Sequence, residues 1–360
     1  MNNNHNYCII LGGGIGSRFW PISRQSLPKQ FLDFFGTGRT LLQQTLDRFR
    51  KIIPLDHIYV VSNIQYAELV TEQLPELNQE QILLEPTRRN TAPCVAWACY
   101  RIQTIDPQAN IVVTPSDHLI LKENEFLKAI QDSLAFAETN PQLVTLGIKP
   151  TQVETRYGYI QVAEEKKENF YRVKTFTEKP EYDLAKVFVE SGEFYWNSGL
   201  FIWNIQTFLK AVKDLIPELH AKLGCEKDVY GTEKERKFIE ENFPSCPNVS
   251  IDLGIMERAE NKFVLIGDYG WSDLGTWSAL YDDFPKDKEG NAILKGHTLL
   301  YESNNNIVVL PKDKLAVIQG LEGYLIAESD NALLICKKEE ENSIRKFVND
   351  TQIKLGEKYI

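Results

Sequence analysis

No apolar run in the 360-residue chain approaches the ~20 residues that cross a bilayer, so no membrane partner is expected. Met1-Asn2-Asn3-Asn4-His5-Asn6 is polar, and the apolar stretch that follows, Tyr7 to Leu11, is too short for a signal-peptide core. The expectation is a cytoplasmic protein. None of the six cysteines (Cys8, Cys94, Cys99, Cys225, Cys246, Cys336) forms a C-x-x-C pair, which argues against zinc and against a disulfide framework. Cys94 and Cys99 fall in an apolar helical pattern and read as core. Basic residues are in deficit, 40 against 50 acidic, for a net charge of -10. A general nucleic-acid binder would lean the other way, so any anionic ligand must be drawn to a local basic patch. With 43% hydrophobic and 25% charged residues, disorder and coiled coil are excluded as descriptions of the whole.

What is present is an alternation. Strand-like runs at Tyr7–Leu11, His57–Ser62, Gln81–Glu85, Asn110–Thr114 and Leu143–Ile148 alternate with helical patterns. The clearest of these are Thr91–Thr104, with Val95, Ala96, Cys99 and Ile102 on one stripe, and Glu123–Thr139. Such βαβ punctuation predicts an α/β fold: a Rossmann-like, mostly parallel mixed sheet with helices on both faces. Further strands are expected at Gly158–Ala163, Tyr171–Glu178 and Lys262–Ile266, and helices at Tyr182–Ser191 and Ile205–Leu215. Length alone favours about two domains. We place the first at residues 1–285 and a small C-terminal β domain at 286–360, the boundary lying in the turn-rich stretch after Pro285. In that tail, strands begin near Ile307, Leu315, Tyr324 and Ala332, separated by turn residues such as Glu322-Gly323 and Asp330-Asn331. The eight- or nine-residue spacing suits a short β-helix-like solenoid or a sandwich, closed by a charged helix over Glu339–Leu355.

Ligands of parallel sheets bind at the carboxyl ends of the strands. After the first strand comes Leu11-Gly12-Gly13-Gly14-Ile15-Gly16-Ser17-Arg18, then Pro28-Lys29. Four glycines in five residues let backbone N–H groups converge on an anion, and Arg18 and Lys29 add charge beside them, which reads as a phosphate cradle. The dinucleotide fingerprint G-x-G-x-x-G fails here, because its third glycine is Ser17 or Phe19, and no Gly-Lys-Ser/Thr completes a P-loop.

These residues resemble the signature of the sugar-1-phosphate nucleotidyltransferases. The wording from Ser17-Arg18-Phe19-Trp20-Pro21 through Pro28-Lys29-Gln30 looks like the mannose-1-phosphate guanylyltransferase branch. Seven further segments agree in order: Glu85-Pro86 with Arg89-Asn90-Thr91, Pro115-Ser116-Asp117-His118, Tyr157-Gly158-Tyr159, Glu178-Lys179-Pro180, Trp196-Asn197-Ser198-Gly199, Ser250-Ile251-Asp252 and Gly270-Trp271-Ser272-Asp273. The likeness covers roughly residues 7–285. Departures are few: Gly12 where the family has Ala, Phe19 where it has Leu, and Leu253-Gly254 for an aromatic-Ala pair.

The resemblance implies that GTP and mannose 1-phosphate yield GDP-mannose and pyrophosphate. Other nucleotide and hexose 1-phosphate pairs, or a catalytically silent regulatory subunit, are the alternatives. The nucleophile is a phosphate oxygen already anionic at pH 7, so no general base is needed, and alignment and charge neutralisation do the work. By resemblance Leu11, Gly12, Gly13, Gly14, Gly16, Ser17, Glu85, Arg89, Asn90 and Thr91 serve the nucleotide. Arg18 and Lys29 serve the transferring phosphates, and Gly158, Glu178, Lys179 and Asn197 the sugar phosphate. Asp117 and Asp273, each in a strand-end loop, suit Mg²⁺. Structural roles compete at each position: a helix cap for Asp117, Asn90 or Thr91, a turn for Asp273 or Asn197, a local ion pair for Glu178 and Lys179. Asp252 and Glu257 read as helix residues. Some relatives carry an isomerase barrel whose metal is held by histidines. Only His297 lies beyond residue 285, so no isomerase activity is expected, and the tail is expected to serve a homodimer contact.

Overall fold

The computed structural model describes residues 5–14 and 16–360, and the reading of Met1–Asn4 lies outside the described residues. The chain divides into two compact units. One takes in the chain up to Gly13, Thr45–Ser116 and Ile120–Trp271. The other comprises Gly14–Gln44, Asp117–Leu119 and Ser272–Ile360.

Nine strands build the first unit: β1 (Asn6–Leu11), β2 (Ile58–Asn63), β3 (Ile82–Glu85), β4 (Asn110–Pro115), β5 (Leu143–Ile148), β6 (Tyr159–Lys167), β7 (Phe170–Thr177), β8 (Phe194–Asn204) and β9 (Lys262–Gly267). They form one sheet in the order β3-β2-β1-β4-β8-β5-β9-β7-β6. Tracing the pairings, seven strands run one way, and only β7 and β8 run against them. Cys8 and Ile10 on one side of β1, and Tyr7 and Ile9 on the other, are all buried. Both faces are therefore covered, as a parallel sheet requires. Helix α1 (Thr91–Ile105) packs its stripe into the core that holds Tyr7, Ile9, Tyr59 and Val61. Helix α2 (Glu123–Thr139) packs against β4 and β8. Helix α3 (Ile205–Leu215) seats Ile205, Phe208, Leu209 and Val212 at the i, i+3, i+4, i+7 spacing of a helix with one apolar face.

The sheet matches the expectation in all but one strand. The expected turn around Asn197 lies within β8, an eleven-residue strand that separates β4 from β5. Asn-Ser-Gly looks like turn chemistry, but Asn197 N–H bonds Gly158 O at 2.8 Å and β8 continues through with irregular register against β5. Tertiary pairing overrides the local preference there.

In the second unit, β10 (Ala292–Lys295), β12 (Ile307–Val309), β14 (Tyr324–Ser329) and β15 (Ala332–Lys337) form one sheet, and β11 (His297–Tyr301) pairs in parallel with β13 (Leu315–Gln319). Ala292 lies beside Ile307, and Ile307 beside Leu325, so successive coils stack in parallel as in a solenoid. Buried Asn291 and Asn306 tie the coils: Asn306 Nδ2 donates to Asn291 Oδ1 at 3.0 Å, and Tyr324 N–H to Asn306 Oδ1 at 2.8 Å. β15 runs antiparallel to β14 and closes the stack. Two strands, β10 and β11, start before the tail's expected first strand. The charged tail is a 3-10 segment, Lys338–Ser343, leading into helix α4 (Ile344–Leu355). Phe19, Trp20 and Phe34 share this unit's core with Trp277, Val309, Leu325 and Ile344. Arg24 donates to Ser329 O at 2.7 Å and to Asn331 Oδ1 at 2.9 Å, and Trp20 Nε1 to Tyr359 O at 2.6 Å. The segment after the glycine loop is thus fastened to the C-terminal strands and tail.

Candidate active site

The second unit holds a cleft of about 260 Å³ lined by Gly16, Arg18, Phe19, Lys29, Asp117, His118, Asp273, Leu274, Gly275 and Arg345. At its floor Lys29 is buried, and each of its three ammonium protons has an acceptor. Nζ lies 2.8 Å from Asp273 O, 3.0 Å from Leu274 O and 3.0 Å from Asp117 Oδ2. Leu274 sits at φ 44°, a region a leucine enters only under constraint, and in that turn its carbonyl meets Lys29. Asp273 Oδ1 accepts from Gly275 N–H at 2.8 Å, and Arg18 Nη1 donates to Gly275 O at 3.3 Å. Burial pushes the Asp117 carboxyl up, but the charges of Lys29 and His118 and the Lys29 hydrogen bond outweigh it and hold it below the usual carboxylate range. Gly16 is required where it stands. At φ 64°, a Cβ would lie 2.7 Å from Ser23 Oγ and 2.9 Å from Lys29 Cβ. Ser17 opens the short 3-10 turn Ser17–Phe19, and its side chain lies outside the described part.

Apart from Gly14, which belongs to the second unit, the other expected residues lie in the first unit, in two groups. In one, Gly12 follows β1, with its N–H bonded to Val61 O at 2.8 Å and its carbonyl to Ser62 Oγ at 2.9 Å. Leu11 O accepts from Ser116 N–H at 3.0 Å. Glu85 closes β3, is buried, and accepts from Cys94 Sγ at 2.9 Å. Burial raises its carboxyl above the ordinary value against hydrogen bonds from Cys94 and Asn63. Asn90 is the N-cap of α1, at φ 66°, its side chain accepting from Thr91 N–H at 3.0 Å. Thr91 Oγ1 accepts from Ile251 N–H at 2.9 Å, and Arg89 donates to Pro244 O. These three therefore have structural partners whatever else they do.

The second group surrounds Gly158, Glu178, Lys179 and Asn197. A Cβ on Gly158 would stand 2.6 Å from Glu178 Oε2 and 3.3 Å from Asn197 Cβ. Glu178 and Lys179 form an ion pair. Asn197 Oδ1 accepts from Thr145 Oγ1 at 3.2 Å and Gly199 N–H at 3.1 Å, while Nδ2 donates to Asp252 Oδ1 at 2.8 Å. Asp252 and Glu257, read from sequence as helix residues, enter this group. Asp252 opens the π-helical turn Asp252–Met256, and Glu257 Oε1 accepts from Glu178 N–H at 3.1 Å. Burial and the charge of Glu178 push Asp252 up to about 6. A perturbed carboxyl on a π-turn is a pattern found at functional sites, but it depends on tertiary neighbours that no motif displays. Arg345 is the other residue the sequence did not single out.

The chain belongs to the nucleotidyl transferase family, whose profile matches residues 7–290. It is 38% identical over 348 residues to the mannose-1-phosphate guanylyltransferase of Salmonella muenchen, an alignment spanning 95% of this chain and 72% of that protein. A solved structure from Thermus thermophilus, described as a mannose-1-phosphate geranyltransferase, superposes with TM-score 0.88 at 28% identity over 97% of this chain and 99% of that one. A Helicobacter pylori structure described as a mannose-6-phosphate isomerase superposes with TM-score 0.60 at 26% identity, over 74% of this chain and 99% of that chain. Among the described residues, no helix is long and apolar enough to cross a membrane.

Proposed function

We propose that the chain joins GTP and mannose 1-phosphate into GDP-mannose and pyrophosphate. A phosphate oxygen of the sugar phosphate attacks the α-phosphorus of GTP. The new P–O bond forms as the bond to the bridging oxygen of the β-phosphate breaks, and pyrophosphate leaves with that electron pair. No proton need be removed, so the residues align and neutralise rather than act as bases. Lys29 carries this reading: it is a buried ammonium held by one aspartate and by the backbone of the loop that carries the other. It fixes Asp117 and Asp273 about one cleft and offsets charge where the phosphates react.

Asp117 and Asp273 fit Mg²⁺ by their donor chemistry. They are carboxylates on one cleft, and among the described residues no cluster of three His, Cys, Asp or Glu supplies a full protein cage. Two carboxylates, with phosphate oxygens and water, make the partial set that Mg²⁺ takes. Bound there, the ion would supply charge neutralisation to the phosphate oxygens. We assign the glycine loop and Arg18 to the triphosphate, and Glu85 to the donor edge of guanine. Glu178, Lys179 and Asn197, with Asp252, are assigned to the sugar and its phosphate.

The test is pyrophosphate release by the purified chain with four nucleoside triphosphates and several hexose 1-phosphates, with and without Mg²⁺. The highest kcat/KM is expected for GTP with mannose 1-phosphate. A better pair would overturn the substrate choice, and no release with any pair would favour a silent binding subunit.

A further inference from the structure

We propose that Arg345, on the C-terminal helix, binds the outer phosphates of the nucleotide and the pyrophosphate they become, which makes that helix part of the transfer site. The proposal rests on the nucleotidyl-transfer reading above and adds to it a residue outside every motif.

Arg345 lines the same cleft as Arg18, Lys29, Asp117 and Asp273. Before any metal binds, the charged side chains at the floor of the cleft balance. Arg18 and Lys29 match Asp117 and Asp273 charge for charge, and Lys29 has all its donors engaged. A triphosphate needs positive charge beyond what a bound Mg²⁺ would bring, and in a chain of net charge -10 that remainder must come from the cleft itself. Arg345 is a cation of the cleft without a carboxylate partner. It is exposed, and among the described residues it has no ion pair or hydrogen bond. The carboxylate one turn before it, Glu341, instead accepts from Ser278 N–H at 3.1 Å.

Its place is fixed: it is the second residue of α4, which continues directly from the 3-10 segment Lys338–Ser343. Ile344 is buried in the core that holds Phe19 and Trp20, with Phe347 and Val348 packed against it. That i, i+3, i+4 seam anchors the helix to the residues flanking Arg18. Lys29 is buried at the floor and Arg345 is exposed at the rim. A nucleotide whose α-phosphorus reacts over Asp117 and Asp273 would direct its outer phosphates toward the rim. There a planar guanidinium can hold two phosphate oxygens at once and release them with the product.

The experiment compares wild type, Arg345→Gln and Arg345→Lys in the reverse reaction, GDP-mannose plus pyrophosphate. Arg345→Gln should raise the KM for pyrophosphate about tenfold or more, the scale of a lost charge-assisted bond, leaving the KM for GDP-mannose and the melting temperature unchanged. Arg345→Lys should recover part of the loss. A pyrophosphate KM in Arg345→Gln within twofold of wild type would overturn the proposal. A second measurement uses the wild-type chain alone: modification of Arg345 by phenylglyoxal, mapped by mass spectrometry, should slow severalfold in pyrophosphate. Equal rates with and without pyrophosphate would overturn the proposal. If the wild type fails to turn over GDP-mannose, the functional reading falls, and the protection experiment still decides whether Arg345 binds phosphate.

Discussion

Replacing Lys29 by methionine keeps the aliphatic stem and removes the ammonium. Two backbone carbonyls lose a donor and Asp117 loses its counter-charge. Breaking a buried pair from one side costs about 3–5 kcal/mol. The Asp117 side chain is 27% exposed, so water recovers part of this and the lower figure applies. At about 2 °C per kcal/mol for a chain of this size, the melting temperature should fall by about 6 °C. The loss should also depend on pH. Asp117 in the wild type is held below its ordinary value of 3.8, so its contribution is present above that value and fades as pH falls through the folded one. In Lys29→Met the largest opposing influence is gone and burial dominates, which raises the carboxyl. The gap between the two proteins should therefore be widest near pH 8 and narrow toward pH 4. The assay is a pair of thermal melts across that range in EDTA, with turnover measured separately and expected to drop about a hundredfold or more. An equal gap at pH 8 and pH 4 would refute the electrostatic reasoning. A gap under about 2 °C with near wild-type turnover would return Lys29 to the status of an ordinary lysine.

Asp252, raised to about 6, should be a stability liability at neutral pH. Its contribution is complete below 3.8 and lost as pH rises through 6, so Asp252→Asn should be more stable by on the order of 2 kcal/mol at pH 7.5 and no more stable at pH 4, by urea denaturation. Asp117→Asn and Asp273→Asn should each flatten the Mg²⁺ dependence of transfer, and the double variant should lose little more than either, because groups acting through one ion are non-additive; strictly multiplicative losses would count against a shared ion. Gly158→Ala should displace the Glu178 carboxylate and raise the KM for mannose 1-phosphate about tenfold without altering that for GTP. Unchanged steady-state kinetics would remove Gly158 from the sugar site.

The regular helices were legible because their signal is local. Glu123–Thr139 and Ile205–Leu215 match the expectation to the residue, since an amphipathic repeat over three or more turns is its own ruler. β8 was hidden because it is buried on both faces and interrupted by Asn197-Ser198-Gly199, so neither alternation nor turn chemistry pointed to a strand. At the candidate site, strand-end positions pointed to Asp117 and Asp273, and the Pro28-Lys29 that follows the glycine loop pointed to Lys29. That Lys29 reaches Asp117 and the carbonyls of Asp273 and Leu274, 244 and 245 residues away, could not be read from spacing. Asp252 and Arg345 acquire their interest from neighbours brought in by folding, and no local pattern separates them from ordinary helix residues.

A stack of like coils has no intrinsic length, and in this chain length is set by a reversal of direction. Coils rising from β10 through β12 to β14 could accept another parallel strand. After the two-residue turn Asp330-Asn331, with Asp330 at φ 49°, β15 comes back antiparallel along that edge. The alternating hydrogen-bond spacing of an antiparallel pair differs from the even, slanted spacing of the coils beneath it. β15 is therefore a terminator. A lineage could lengthen this solenoid by duplicating a coil upstream of Tyr324, leaving the stop intact, whereas a coil inserted at Asp330-Asn331 would separate the stop from the edge it covers.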